Sequence, residues 1–418
     1  MSSVISTPGP QLLRRASASA VLDYIRASPA VTVTEVMQAT GLARATALSV
    51  CEELMERGWI RELENQRAFG QYQKGRPGRR FELNESAGYV MGVDVGIAKA
   101  TAVVSNLRGE TVGRSSLPFP GVQIRAEDRI PGEQMTSKER LAFIDRTAME
   151  ALQNAGASAN KVLAVSIGIA APVDRNGEVL ATQRFWELFD VDLRATFQEL
   201  HGWKVLLEND ANLAALGERW RGASAGVDDV VVILSSERFG SGVIDGGRLL
   251  HGSQGGAGEL AFLKHVQGVG DTFGIALMAK TWATEALAGK AKTSLRKHAQ
   301  EGIEAEHVFA AAADGDDVAV NIMDRLADRM ARVIGAVATI FNPELVVIGG
   351  AVAKSAAVLV EPIAGLLAEF TATPPRIAVS PLGDSIVAVG ATRSALDYVE
   401  KNSLDLELRG ASRADKGT

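Results

Sequence analysis

Residues 207–218 constrain this chain more than any other stretch. Leu207-Glu208-Asn209-Asp210-Ala211-Asn212-Leu213-Ala214-Ala215-Leu216-Gly217-Glu218 runs from an apolar strand through three polar residues straight into a helix. A strand that feeds a helix without a loop belongs to an α/β layer. It places Asp210 at a strand end, beside a helix N-terminus, facing a cleft. A carboxylate there can accept the proton of an attacking hydroxyl. Asn209 can donate to and accept from neighbouring hydroxyls. Either residue can equally serve only as the helix N-cap, and the two roles are compatible.

The flanking sequence extends the α/β pattern. Strands are expected at 89–95, 99–106, 162–170, 204–208, 229–234 and 344–348, and helices at 137–155, 210–221, 317–341 and 355–370. One device occurs twice: Val93-Asp94-Val95-Gly96 and Val232-Ile233-Leu234-Ser235 through Gly240-Ser241-Gly242-Val243 both join two strands by a turn. Glycine in such a turn admits close approach of a ligand phosphate. Repetition far apart in the chain suggests two similar lobes around a cleft, although each turn alone reads better as an ordinary hairpin.

Residues 1–86 differ. They carry 11 Lys/Arg and 9 Asp/Glu, against 33 and 41 in the remainder, where the acids dominate. Three short helices are expected: Ala20, Val21, Leu22, Tyr24 and Ile25 in the first, Val36 and Met37 in the second, and Leu48, Cys51, Leu54 and Met55 in the third. Gly41 and Gly58 act as stops. That is a helix-turn-helix. The third helix would present Arg44, Thr46, Ala47 and Ser49 to base edges, with Ala45 packed inward. Two strands, 59–61 and 80–83, then flank a wing. Arg67, Lys74, Arg76, Arg79 and Arg80 lie between Asn65 and Arg80 with no acid among them, a run suited to phosphates or a minor groove. A polyanion partner at one end only is the implication.

The bulk numbers limit the alternatives. The chain has 418 residues, room for two or three domains, and 46% hydrophobic content. No apolar run reaches the roughly 18 residues of a membrane span, and no signal-peptide pattern opens the chain, so a cytoplasmic protein is expected. Cys51 is the single cysteine, which excludes an intramolecular disulfide and a cysteine-cluster metal site.

These residues resemble the ROK family, whose name joins repressors, open reading frames and sugar kinases. The resemblance spans about residues 15–400. It rests on Glu208 to Glu218, on Gly168-Ile169-Ala170-Ala171-Pro172-Val173-Asp174 with Gly177, on Gly255 to Glu259, and on Asn342 to Gly350. The helix-turn-helix with a Gly-Arg-Pro wing is similar to that of the family's repressors. The resemblance implies a winged helix-turn-helix followed by a two-lobed, actin-like (ribonuclease H-like) sugar-kinase-type α/β domain. Asn209, Asp210 and Glu259 would be sugar contacts, with Asp210 matching the kinase's base. The divisions expected are a tail at 1–14, the winged helix-turn-helix at 15–84, one lobe at 88–205 plus 388–405, the other at 206–387, and a tail at 406–418.

Departures from the family pattern shape the functional expectation. Asp94-Val95-Gly96 is followed by Ile97-Ala98, so the first phosphate motif lacks its hydroxyl. The second phosphate loop reads Ser235-Ser236-Glu237-Arg238-Phe239-Gly240 in place of a Gly-Thr-Gly run. Ala261-Phe262 stands where the family has Gly-His, and residues 266–280 contain no cysteine for its zinc. The expectation is a non-enzymatic regulator, a repressor of carbohydrate-metabolism genes. It would bind operator DNA and a sugar or sugar-phosphate effector, as a homodimer or tetramer, with no cofactor, no metal and no membrane contact. An ATP-dependent sugar kinase and a ligand-independent DNA-binding protein are the competing readings.

Overall fold

The computed structural model describes residues 9–63, 79–122, 135–180, 189, 191–289, 291–300 and 302–408. Helix α1 (Pro10–Arg26) starts on a proline, whose missing N–H is no loss in a first turn. Residues 10–14, expected within the tail at 1–14, belong to this helix, and residues 1–8 lie outside the described residues. After β1 (Val31–Thr32), Thr32 and Glu35 cap α2 (Val33–Thr40) reciprocally, and Gly41 ends it at φ 71°. Helix α3 (Arg44–Glu56) buries Ala47, Val50, Cys51 and Leu54, spaced three, four and seven apart on one face. Ala47 thus begins the buried stripe and does not present itself to DNA as expected. Ala45, expected inside, is exposed. Strands β2 (Ile60–Glu62) and β3 (Arg80–Leu83) complete an antiparallel sheet in the order β1-β3-β2.

The body is one topology built twice. Strands β4 (Tyr89–Val95), β5 (Lys99–Asn106) and β6 (Thr111–Pro118) form an antiparallel meander. Helix α4 (Ser137–Asn154), β7 (Val162–Ile169), α5 (Leu193–His201) and β8 (Val205–Asn209) follow, giving the sheet β6-β5-β4-β7-β8 with the last two pairings parallel. Helix α6 (Asp210–Arg221) leads to the second sheet. There β9 (Val230–Leu234), β10 (Gly240–Asp245) and β11 (Arg248–Leu249) repeat the meander. Helices α7 (Ile275–Ala288), α8 (Ala305–Ala313) and α9 (Asp317–Phe341) precede β12 (Leu345–Gly349). Helix α10 (Ala353–Ala356), α11 (Val360–Leu367) and β13 (Arg376–Val379) finish the order β11-β10-β9-β12-β13. The chain ends in α12 (Ile386–Asn402).

The single helix expected over 355–370 is broken into α10, a 3-10 turn and α11. Pro362 explains the break. It has no N–H to offer Val358, so the helix restarts with Pro362 in a first turn.

Each sheet has its own core, Met91, Val93 and Ile167 under α4 and α5, and Val231, Ile233 and Ile348 under α7, α9 and α11. The N-terminal head has a core too, with Leu22, Val36, Cys51, Leu54 and Phe81, and that core runs on into the body. Val21, Ile25 and Trp59 of the head pack in one cluster with Ala395, Leu396 and Val399 of α12 and with Val90 of β4. Arg108, in the β5–β6 turn, donates to the carbonyls of Arg26 and Ser28, each at 3.2 Å, and of Pro29 at 3.3 Å. Arg57 donates to the Leu404 carbonyl at 2.6 Å, and Arg15 pairs with Asp405.

Candidate functional site

A cavity of about 340 Å³ opens between the two sheets. Strand β8 ends in it, and α6 starts there. Asn209 is the cap of α6: its Oδ1 accepts from the N–H groups of Ala211 and Asn212, at 3.0 and 3.1 Å, and its Nδ2 donates to the Ala171 carbonyl at 3.2 Å. Most of its capacity is thus spent on the protein, leaving one amide N–H for a ligand. Asp210, the first residue of α6, lines the cavity with Glu259 and with Asp94 from the end of β4. The structure therefore brings the three expected contacts, Asn209, Asp210 and Glu259, to one wall.

Burial raises the Asp210 carboxyl to about 8, and Asp94 and Glu259 nearby push it the same way. Burial likewise lifts Asp94 to about 7, against the pull of Lys99. Glu259 is raised by burial alone. At neutral pH Asp94 and Asp210 are each present in both forms, so the wall can both donate to and accept from hydroxyls.

Sequence reasoning missed one contributor. His251 sets Nε2 2.8 Å from Glu208 Oε2. Glu208 Oε1 accepts from the Asn209 N–H and from Asn212 Nδ2, at 2.8 and 2.9 Å. The hydrogen bond to Glu208 raises the imidazole's pKa. His251 opens the segment that ends in Glu259, and this pairing anchors it to β8. Only the pairing of two segments 43 residues apart reveals it.

The cavity also borders Ser236 to Gly240, the turn that the resemblance reads as the second phosphate loop. The N–H groups of Gly274, Ile275 and Ala276, which open α7, donate to the carbonyls of Glu237, Ser235 and Ser236 at 2.8, 2.6 and 3.0 Å. A helix N-terminus that could hold an anion is thereby satisfied by main chain. Glu237 lines the cavity; its carboxyl is raised by burial, and its Oε2 is buried with no hydrogen-bond partner among the described residues. Arg238 lies over the Phe273 ring at 5.6 Å. Lys99 and Arg114 converge on Asp384, at 3.0 and 3.1 Å.

On the head, Arg44, Thr46 and Ser49 are exposed along α3, and Arg80 is exposed on β3. Arg79 is engaged by Glu52 and Glu62, at 2.9 and 2.8 Å, so its charge is answered within the head and is not held out to phosphates as expected. Arg67, Lys74 and Arg76 lie outside the described residues.

Residues 90–397 match the ROK family. The chain belongs to the ROK family. Residues 17–64 match the IclR helix-turn-helix domain. A putative xylose repressor of Caldicellulosiruptor sp. is 24% identical over 81% of this chain and 84% of its own length. A glucokinase of Thermotoga maritima is 34% identical over 48% of this chain and 67% of its own. Among solved structures, a ROK family transcriptional regulator described as a homolog of E. coli MLC protein superposes with TM-score 0.70 at 21% identity, covering 92% of this chain and 96% of its own. A ROK family glucokinase from Streptomyces griseus, in complex with glucose and AMPPNP, superposes at 0.61 and 25% identity, over 74% of this chain and 100% of that one. This ROK protein thus joins the family domain to a DNA-reading head, the arrangement of a transcription regulator. Among the described residues no helix is long and apolar enough to cross a membrane, and no three His, Cys, Asp or Glu side chains are placed to hold a metal ion.

Proposed function

We propose that this protein is a sugar-responsive repressor of carbohydrate-metabolism genes that performs no phosphoryl transfer. The observation that carries the reading is a pair of helices, each with one end in the cleft and the other under the DNA-reading head. Helix α6 begins at Asp210 and ends near Trp220, which packs into the head's cluster. Helix α12 begins with Ile386 and Val387 in the cavity wall and carries Ala395, Leu396 and Val399 into the cluster that holds Trp59. A sugar that draws Asp210 and Glu259 together shifts this pair, and the pair carries the head.

The effector shifts the balance between DNA-competent and released states only by its difference in affinity for them. Two copies reading a two-fold operator are the expected assembly. Loss of kinase chemistry is supported by the self-satisfied N-terminus of α7 and by Glu237 in the turn read as the second phosphate loop, since phosphoryl transfer depends on positioned phosphates and metal. The relative named a xylose repressor makes xylose the first sugar to try. The test is fluorescence anisotropy of DNA from the gene's own promoter, at fixed salt, with and without sugar. Release by sugar in the native protein, and none in Asp210→Asn, supports the reading. Binding indifferent to every sugar would return it to a ligand-independent DNA-binding protein.

A further inference from the structure

Resting on the reading of the cleft as the effector site, we infer that its effector is an uncharged sugar, and that the cleft rejects sugar phosphates and sugar acids by charge. Five carboxyl groups line the cavity, Asp94, Asp210, Glu237, Glu259 and Asp384, against two cations among the described lining residues, Lys99 and Arg238. Neither cation faces an anion unopposed. Lys99 is paired with Asp384 at 3.0 Å, and Arg238 lies over Phe273.

An anionic ligand also needs N–H donors, and these are spent. The amides that open α7 are taken by the carbonyls of Ser235, Ser236 and Glu237. Gly350, the cavity's other glycine turn, has Ser236 Oγ against it: a Cβ built there would lie 2.5 Å from that oxygen. The phosphate loop thus offers main-chain carbonyls and the buried, unpartnered Glu237 carboxyl where an anion would need several donors.

Hydroxyl groups fit these walls better. Each can donate to a carboxylate and accept from a protonated one, and burial holds Asp94 and Asp210 where both forms coexist near neutral pH. An anion brought among them must either meet their charge in a poorly solvated site or force Asp94 and Asp210 to stay protonated, a demand that an uncharged ligand does not make.

The measurement is a thermal melt and calorimetric titration of the full chain. The probes are xylose and glucose, glucose 6-phosphate, gluconate and inorganic phosphate. The expected result is a shift with at least one uncharged sugar, and binding at least about tenfold weaker for its phosphate or acid. In Glu237→Gln that gap should narrow while the uncharged sugar binds as before. Equal or tighter binding of glucose 6-phosphate would overturn the inference and leave the effector reading standing. Silence toward every probe, or sugar binding that survives Asp210→Asn, would overturn both.

Discussion

Gly217 on α6 and Gly390 on α12 meet backbone to backbone. A Cβ on Gly390 would lie 1.7 Å from the Leu213 carbonyl, and one on Gly217 would lie 2.7 Å from the Ile386 carbonyl and 3.0 Å from the Gly390 nitrogen. The two helices are therefore clamped as one bar at their crossing. On one side of the crossing the bar touches the cleft, and on the other it supports the DNA-reading head.

Widening that crossing should break the bar. Gly390→Ala forces the helices apart, because the contact is with main chain, which cannot swing aside. The expected outcome is a lower Tm and a weaker sugar effect on DNA affinity. Arg108→Met is the gentler companion. It removes the three hydrogen bonds to Arg26, Ser28 and Pro29 without touching either core. Its sugar affinity, by calorimetry, should stay within about twofold while sugar-induced DNA release shrinks. Unchanged release in Arg108→Met would rule out transmission through this contact.

Asp94 and Asp210 are held near 7 and 8 chiefly by burial. Both bind protons more tightly in the folded chain than in the unfolded one. The ligand-free fold therefore loses stability as pH rises from about 4 towards about 8. Asp210→Asn removes one of the two acids. Its melting temperature should exceed the parent's by a few degrees at about pH 8, with the advantage fading towards pH 4. A gain independent of pH would assign the effect to something other than the buried charge. The same variant should lose sugar binding by at least about tenfold, since a carboxylate accepts more strongly than an amide.

On the head, Arg44 and Arg79 should part company. Arg44→Ala should weaken DNA binding and lower the slope of log K against log salt by about one, as for a lost phosphate contact. Arg79→Ala should leave that slope unchanged, because its guanidinium already neutralises Glu52 and Glu62. Its cost should appear in the melting temperature instead, at up to about 1 kcal/mol for a partly exposed pair. A slope change of about one in Arg79→Ala would show that DNA draws the side chain away from both acids.

Mg-ATP should neither shift the melt nor support phosphorylation of any sugar that binds. Radiolabelled transfer to a sugar would reinstate kinase activity and show that Glu237 and the capped α7 can rearrange around a nucleotide.

The sequence made the two-lobed plan legible because period and punctuation coincide in it. Strands β4 and β5, and helices α6 and α9, lie within a residue of their expected bounds, since each is long and regular or opens on a polar cap. Ala47 was misplaced because alanine fits either side of a helix, and only the spacing to Val50, Cys51 and Leu54 settles which. Arg79 misled because a run of cations says nothing of the acids that folding sets beside it. The pairing of His251 with Glu208, and of Lys99 and Arg114 with Asp384, join segments far apart in the chain, and no local pattern encodes them.

The shared cluster of Trp59, Val21 and Leu396 also bears on how such regulators can be reshuffled. A head whose interior runs on into the body exposes apolar surface when it is cut out and grafted as a bead on a string. Severed near residue 85, it would bare the surface that α12 now covers, and it would be prone to clump. A chimaera that exchanges operator specificity must therefore carry over the α12 face along with the head, or redesign both sides of that seam together.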